Sequence, residues 1–189
     1  IDGLGSPGMK WVLGLGLLLL FSGCIGGDET ALANELRGVR ETYVQPGLLV
    51  PTTLENQEAY AGALFAFRSR ISSPNPLSPS PLLRYLEGSR LALSSVQTAN
   101  EALERWSTSD QTFLECGPGQ PGSLILQGFS NARTDALVAK TEFEAVRSNV
   151  PITNALGAEY ILQALQTLEG MATTHQTLSE QVEIGCIVT

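Results

Sequence analysis

The stretch PLLRYLEGSRLALSSVQTANEALERW, residues 81–106, decides the fold. Ser80 before it is a good N-cap residue, and Pro81 suits a first helical position, where its missing N–H has no partner to lose. Leu82, Leu86, Leu93, Val96 and Leu103 then recur on one helical face, with Ser89 and Asn100 in the same heptad frame. Downstream, Ile125, Phe129, Ala132, Ala136, Ala139, Phe143 and Val146 form a second stripe of this kind. A third follows Pro151, with Thr153 expected to cap it. It runs through Ala158, Ile161, Leu165, Leu168, Ala172, His175 and Val182. Three helices of roughly 25–30 residues reach ~37–45 Å, so they can lie side by side, and short connections favour antiparallel neighbours.

Two shorter helices are predicted upstream. Leu32, Leu36, Val39 and Tyr43 mark the first, which Pro46-Gly47 and Pro51 stop. Thr52-Thr53-Leu54-Glu55 has the form of a capping box for the second, whose stripe is Tyr60, Leu64, Phe67 and Ile71. Ser73 to Pro81 holds four prolines in nine residues and cannot be helix interior. Its Pro76-Leu77-Ser78-Pro79 is a formal PxxP match, read here as a stiff connector before a recognition motif. Leu48–Val50 and Ile184–Val188 are too short to be convincing strands. The expected fold is all-α, an antiparallel bundle of four to five helices spanning residues 29–189 as a single domain. The alternative is a short α-solenoid of helical hairpins, disfavoured because no 34-residue repeat is present.

Composition narrows the function classes. With 43% hydrophobic and 16% charged residues the chain can bury a core, so wholesale disorder is excluded. A net charge of −8 argues against a nucleic-acid partner, which requires a basic stripe. One His and three Cys exclude most zinc, haem and iron–sulfur frameworks, and no cofactor or metal is expected.

The first residues carry a targeting signal. Met9-Lys10 precedes an apolar run, Trp11 to Phe21, whose eleven residues are too few to span a bilayer but fit a secretory h-region. The run ends in Leu20-Phe21-Ser22-Gly23-Cys24. This segment resembles a prokaryotic lipoprotein precursor: Ser22, Gly23 and Cys24 match the lipobox, while Phe21 stands where Leu is usual. The resemblance covers residues 9–27 only. It implies that residues 9–23 are a signal peptide, that Cys24 carries a diacylglyceride and that residues 24–28 form a tether. It also implies a cell-envelope location, on the periplasmic face of the outer membrane in a Gram-negative host, because Ile25 rather than Asp follows the Cys. Ile1 to Gly8 are expected to lie upstream of a start at Met9. With Cys24 lipidated, Cys116 and Cys186 remain as an even pair in an oxidising compartment, and a disulfide between them is expected.

Candidate sites are sparse. His175 is the only imidazole and lacks the Glu-x-x-His pairing of a di-iron bundle. Met171 lies on the same side of the helix as His175, so the two cannot face each other across a haem. No Gly-x-Ser-x-Gly elbow orients a nucleophile, and Glu101/Glu104 and Glu142/Glu144 read as solvated faces, so no enzyme is expected. From Val150 to Thr189 there are four acids and no Lys or Arg, against a balance of five Arg and five Glu between Pro51 and Trp106. Arg68, Arg70 or Arg90 is expected to meet that acidic helix; an acidic docking face for a basic partner is the alternative. The leading functional expectation is a lipid-anchored envelope scaffold that binds other proteins. The alternative is a small-ligand-binding lipoprotein with an interhelical pocket lined by Ser89, Asn100 and His175. A filled core with an exposed apolar patch would favour the first, and a deep pocket bearing those groups the second.

Overall fold

A computed structural model describes residues 29–71, 79–109 and 114–187. Cys24, the signal-like segment and most of the proline-rich connector lie outside the described residues. The Ser80–Pro81 signal works as predicted: the Ser80 hydroxyl accepts from Leu83 N–H (3.4 Å), opening a helix over Pro81–Thr108. In chain order the described helices are α1 (Glu29–Tyr43), α2 (Leu54–Arg68), α3 (Pro81–Thr108), α4 (Pro121–Arg147), α5 (Val150–Leu156) and α6 (Ala158–Ile184). Between α3 and α4, Leu114–Glu115 (β1) pairs in parallel with Cys186–Ile187 (β2), in register Leu114 with Cys186. The fold is the expected all-α bundle, closed at one end by this two-residue pairing.

Three contacts fix the order of the long helices. Arg84 reaches Glu142 (3.1 Å), Ser94 donates to Asp135 (2.6 Å), and Ser95 donates to the Ala132 carbonyl (2.7 Å), so α3 and α4 run antiparallel. Lys140 meets Glu169 (3.4 Å) and Phe143 packs on Tyr160, so α4 and α6 are antiparallel as well. α3 and α6 therefore run in the same direction and finish together. Cys116 and Cys186 meet at that end with Cα atoms 5.5 Å apart and are bonded to each other.

Every residue of the predicted α4 stripe is buried, from Ile125 to Val146. Its alternating steps of four and three make a seven-residue repeat of coiled-coil type. On α3 the matching repeat is not the leucine frame. It is Tyr85, Gly88, Ala92, Ser95, Ala99 and Ala102, a run of mainly small residues that lets α4 come close. A Cβ on Gly88 would sit 3.0 Å from the Phe143 ring, and one on Gly128 of α4 2.8 Å from the Ala102 Cβ. The leucine frame faces elsewhere: Leu86 lines a groove with Leu64 of α2, and Gln97 meets Gln57 near the start of α2 (3.3 Å). Past that level α2 has ended, which leaves Asn100 and Leu103 exposed and only half-buries Val96.

Caps differ from expectation at two places. Thr53, not Thr52, caps α2, accepting from Asn56 N–H (3.3 Å), so Glu55 is not its capping-box partner. Residues 150–156 form the separate helix α5, with Pro151 in its first turn and Asn149 as cap (3.3 Å to Ile152 N–H). Thr153 is inside α5 and donates instead to the Val146 carbonyl (2.8 Å). Gly157, at φ +100°, then turns the chain into α6, a conformation that favours a residue without Cβ.

Candidate functional site

The exposed face between α2 and the first half of α3 forms a groove of about 580 Å³. Leu64, Phe65, Ile71, Leu83 and Leu86 supply its apolar surface. Phe65 is 80% exposed, a large apolar area for a helix surface. Arginines rim the groove. Arg90 is held by Glu87 in a two-pronged pair (2.6 and 3.1 Å), and Arg84 by Glu142. No described carboxylate lies in contact with Arg68. The Arg90 guanidinium draws the Glu87 carboxyl below the usual range, so this rim stays ionised.

These arginines do not meet the acidic helix. Arg70 pairs with Glu35 (2.7 Å) and Arg90 with Glu87, so the expected link from Arg68, Arg70 or Arg90 to α6 is not made. Lys140 is the described cation that pairs with an acid of α6, at Glu169. The reason is geometric: α4 lies against both α3 and α6, while Arg68 at the end of α2 and Arg70 in the turn after it lie on the other side of α3.

The three predicted pocket residues do not converge. Asn100 is exposed. His175 is buried, and its Nε2 lies 3.2 Å from Ser95 Oγ. Because Ser95 donates its one proton to the Ala132 carbonyl, it must accept from His175, which places the ring proton on Nε2. In this arrangement the Ser95 proton goes to the backbone rather than to the imidazole. Nδ1 is left buried without a hydrogen-bond partner, and burial lowers the pKa of the ring. Ser89 lies in a different place, among Tyr60 and Tyr85.

That second place was not anticipated. Arg40 of α1 is buried, its Nη1 donating to the Leu156 carbonyl (2.8 Å) and its guanidinium stacked 3.8 Å from the centre of the Tyr160 ring. Its acidic contact is the surface residue Glu41 (3.3 Å), which Arg37 holds more closely (2.7 Å). Behind Arg40 stand the hydroxyls of Tyr60, Tyr85 and Ser89, all buried and none with a hydrogen-bond partner among the described residues. Tyr85 faces Arg40, Ser89 and Tyr160 closely enough for each to influence its proton affinity, yet none of these approaches closes into a hydrogen bond. Burial raises the pKa of Tyr85 and lifts those of Tyr60 and Tyr160 well above the ordinary tyrosine value, keeping all three protonated. In front of Arg40 a cleft of about 670 Å³ opens between the α1–α2 loop and the start of α6. Only a periodicity with Arg at the last buried position of the Ala33–Leu36 stripe could have signalled this, and an arginine there reads as surface.

Among the described residues no group of three His, Cys, Asp or Glu could hold a metal, and no helix is long and apolar enough to cross a membrane. No family model, curated protein or solved structure matches this chain.

Proposed function

We propose that this chain is a lipid-anchored cell-envelope protein that acts by binding other proteins, as a scaffold or assembly accessory. The observation that supports docking is the α2–α3 groove, an exposed apolar surface that includes Phe65, with Arg68 near Glu87 at its rim. Its apolar floor and basic edge suit an amphipathic partner segment that carries acidic residues. The lipobox-like Ser22-Gly23-Cys24 supports the anchor. No enzymatic role and no cofactor is part of this reading.

Each half has its own test. Mass spectrometry of the native N-terminus should give a chain beginning at Cys24 with a diacylglyceride, and Cys24→Ser should leave the protein unlipidated. An unmodified chain starting elsewhere removes the anchor. For docking, a photo-crosslinking residue replaces Phe65, with the same substitution at the exposed Leu103 as control. In native membranes, position 65 should give one discrete adduct that Arg68→Glu weakens and position 103 none. Equal labelling at both positions removes the groove from the proposal.

A further inference from the structure

We infer that the bundle stands upright on an anionic bilayer. The end formed by the start of α1, the turn after α2 and the α4–α5 turn meets the lipid headgroups, and the disulfide end points away. This rests on the lipid anchor of the proposed function and not on the α2–α3 groove.

Reach gives the first argument. Five peptide steps separate Cys24 from Glu29, the first residue of α1. At ~3.3–3.6 Å per residue they extend no further than about 18 Å, so a lipid on Cys24 holds the start of α1 near the bilayer. Side-chain contacts show which elements share that end. Glu35 of α1 pairs with Arg70 just past α2 (2.7 Å), and Arg84 in the first turn of α3 pairs with Glu142 near the end of α4 (3.1 Å). Arg68 and Leu83 line one groove, which brings the two pairs to one level. From there α3 runs 28 residues, about 42 Å at ~1.5 Å per residue, toward the end closed by Cys116 and Cys186. A tether less than half that length cannot bring the disulfide end down with the start of α1 lifted above it.

Charge separates an upright bundle from one lying on its side. From Ala61 to Arg90 the chain carries Arg68, Arg70, Arg84 and Arg90 against the single acid Glu87. The rest of that end, α1, Lys140 to Arg147 and the first turn of α6, adds six acids and four cations, which leaves it near neutral. At the far end, among the described residues, Glu101, Glu104, Glu115, Glu180 and Glu183 stand against Arg105 alone. An anionic surface repels that far end within a Debye length and accepts the other. The near end also has groups suited to a bilayer surface. Val150 is 63% exposed and follows the exposed Arg147 by three residues; the half-buried Ile71 adjoins the exposed Arg70. An apolar side chain can enter the interface there while the neighbouring guanidinium meets lipid phosphate. Ile184 at the far end is more exposed still, at 86%, but its neighbours are Glu180 and Glu183.

The test is tryptophan quenching by brominated lipid. The lipidated protein is reconstituted into vesicles of phosphatidylethanolamine and phosphatidylglycerol, with plain acyl chains or chains brominated near the headgroup. Beyond Cys24 the chain has one tryptophan, Trp106, toward the far end of α3. Val150→Trp and Ile184→Trp each add a second, at exposed apolar positions on opposite ends, so an intrinsic preference of tryptophan for the interface acts equally on both. Relative to the parent, the signal added at position 150 should fall by more than half on bromination. The signals of Trp106 and of position 184 should not change. Equal quenching at 150 and 184 overturns the inference, because the bundle then lies on its side. Quenching at neither position in protein that floats with the vesicles also overturns it, because the bundle is then held clear of the surface. Protein that does not float has no anchor, and that result removes the anchor from the proposed function as well.

Discussion

Around Tyr85, Phe143 and Tyr160 the long helices α3, α4 and α6 are wrapped by α1, α2 and α5; around Ala102, Phe129 and Val182 they are the only described helices of the core. The wrapped half holds the large aromatic side chains in edge-on contact, with Tyr85 and Phe143 centred 5.6 Å apart. It also holds the buried Arg40 and the orphan hydroxyls. The bare half is narrow: Ala99 and Ala102 allow close approach, Trp106 covers Phe129 edge-on, and the Cys116–Cys186 bond closes the end. Small residues bring helices close but bury little area each, so a core of this kind needs another source of stability. A covalent tie between the end of α6 and the loop after α3 supplies it. Gly122, buried at the start of α4, leaves room for that tie, because a Cβ there would collide with Cys116 Sγ.

The largest difference between the halves should appear under a buried charge. Phe143 is 0% exposed in the wrapped core, so Phe143→Asp should cost several kcal/mol and abolish cooperative unfolding. Leu165→Asp should do the same. Loss of far-UV helix signal and of a sharp melt is the measurement, and a parent-like melt would mean that these faces are wrongly assigned. The bare half should answer instead to the disulfide. Closing a loop of sequence separation 70 is worth about 4 kcal/mol in the chain-entropy model. Reductant or Cys186→Ala should therefore lower Tm strongly, and hydrogen exchange should rise first around Ile125, Phe129 and Val182 rather than around Phe143. A uniform rise would show that the two halves unfold as one unit.

These same halves explain what was legible in the sequence. The α4 stripe was read without error because α4 is central, so its apolar period has one meaning along its whole length. α3 serves two interfaces, and its leucines mark the one that ends with α2. The face that continues to the end is written in Gly, Ala and Ser, which carry little hydrophobic signal. Cys116 and Cys186 were paired by cysteine count and compartment, and the shared direction of α3 and α6 brings them to one end. Ser89 was recognised as a core polar group, but its neighbours were not: Arg40 and Tyr60 come from helices far away in the chain. No periodicity within one segment reports a cluster assembled from α1, α2, α3 and α6.

A smaller, pH-dependent effect separates the halves at their boundary, where His175 meets Ser95. Burial lowers the His175 pKa in the folded protein below its unfolded value near 6.5. The unfolded state therefore binds the proton more readily, and stability rises with pH through this window. The contribution is fully present above about pH 6.5 and is lost as pH falls from there toward the folded pKa. Denaturant midpoints should drop across that range in the parent and stay level in His175→Gln, which can keep a donor to Ser95. An equal drop in the variant would assign the effect to other groups.

The smallest expected effect bears most directly on where the wrapped half stops. Asn100 and Leu103 belong to the same α3 frame as Leu86 and Leu93, which are 4% and 3% exposed, yet Leu103 is 39% exposed and Asn100 lies in solvent. If α2 ends its cover at the Gln57–Gln97 contact, Leu103→Gln and Asn100→Ala should each change stability by no more than about 0.5 kcal/mol, the usual range for surface positions. Leu86→Ala, two heptads before Asn100, should cost about 2–5 kcal/mol because it opens a cavity under α2. Urea midpoints of the three variants measure the step. A graded series, with Leu103→Gln costing an appreciable part of Leu86→Ala, would mean that something covers α3 beyond Gln97 in solution. The narrow half would then be an interface rather than a free surface.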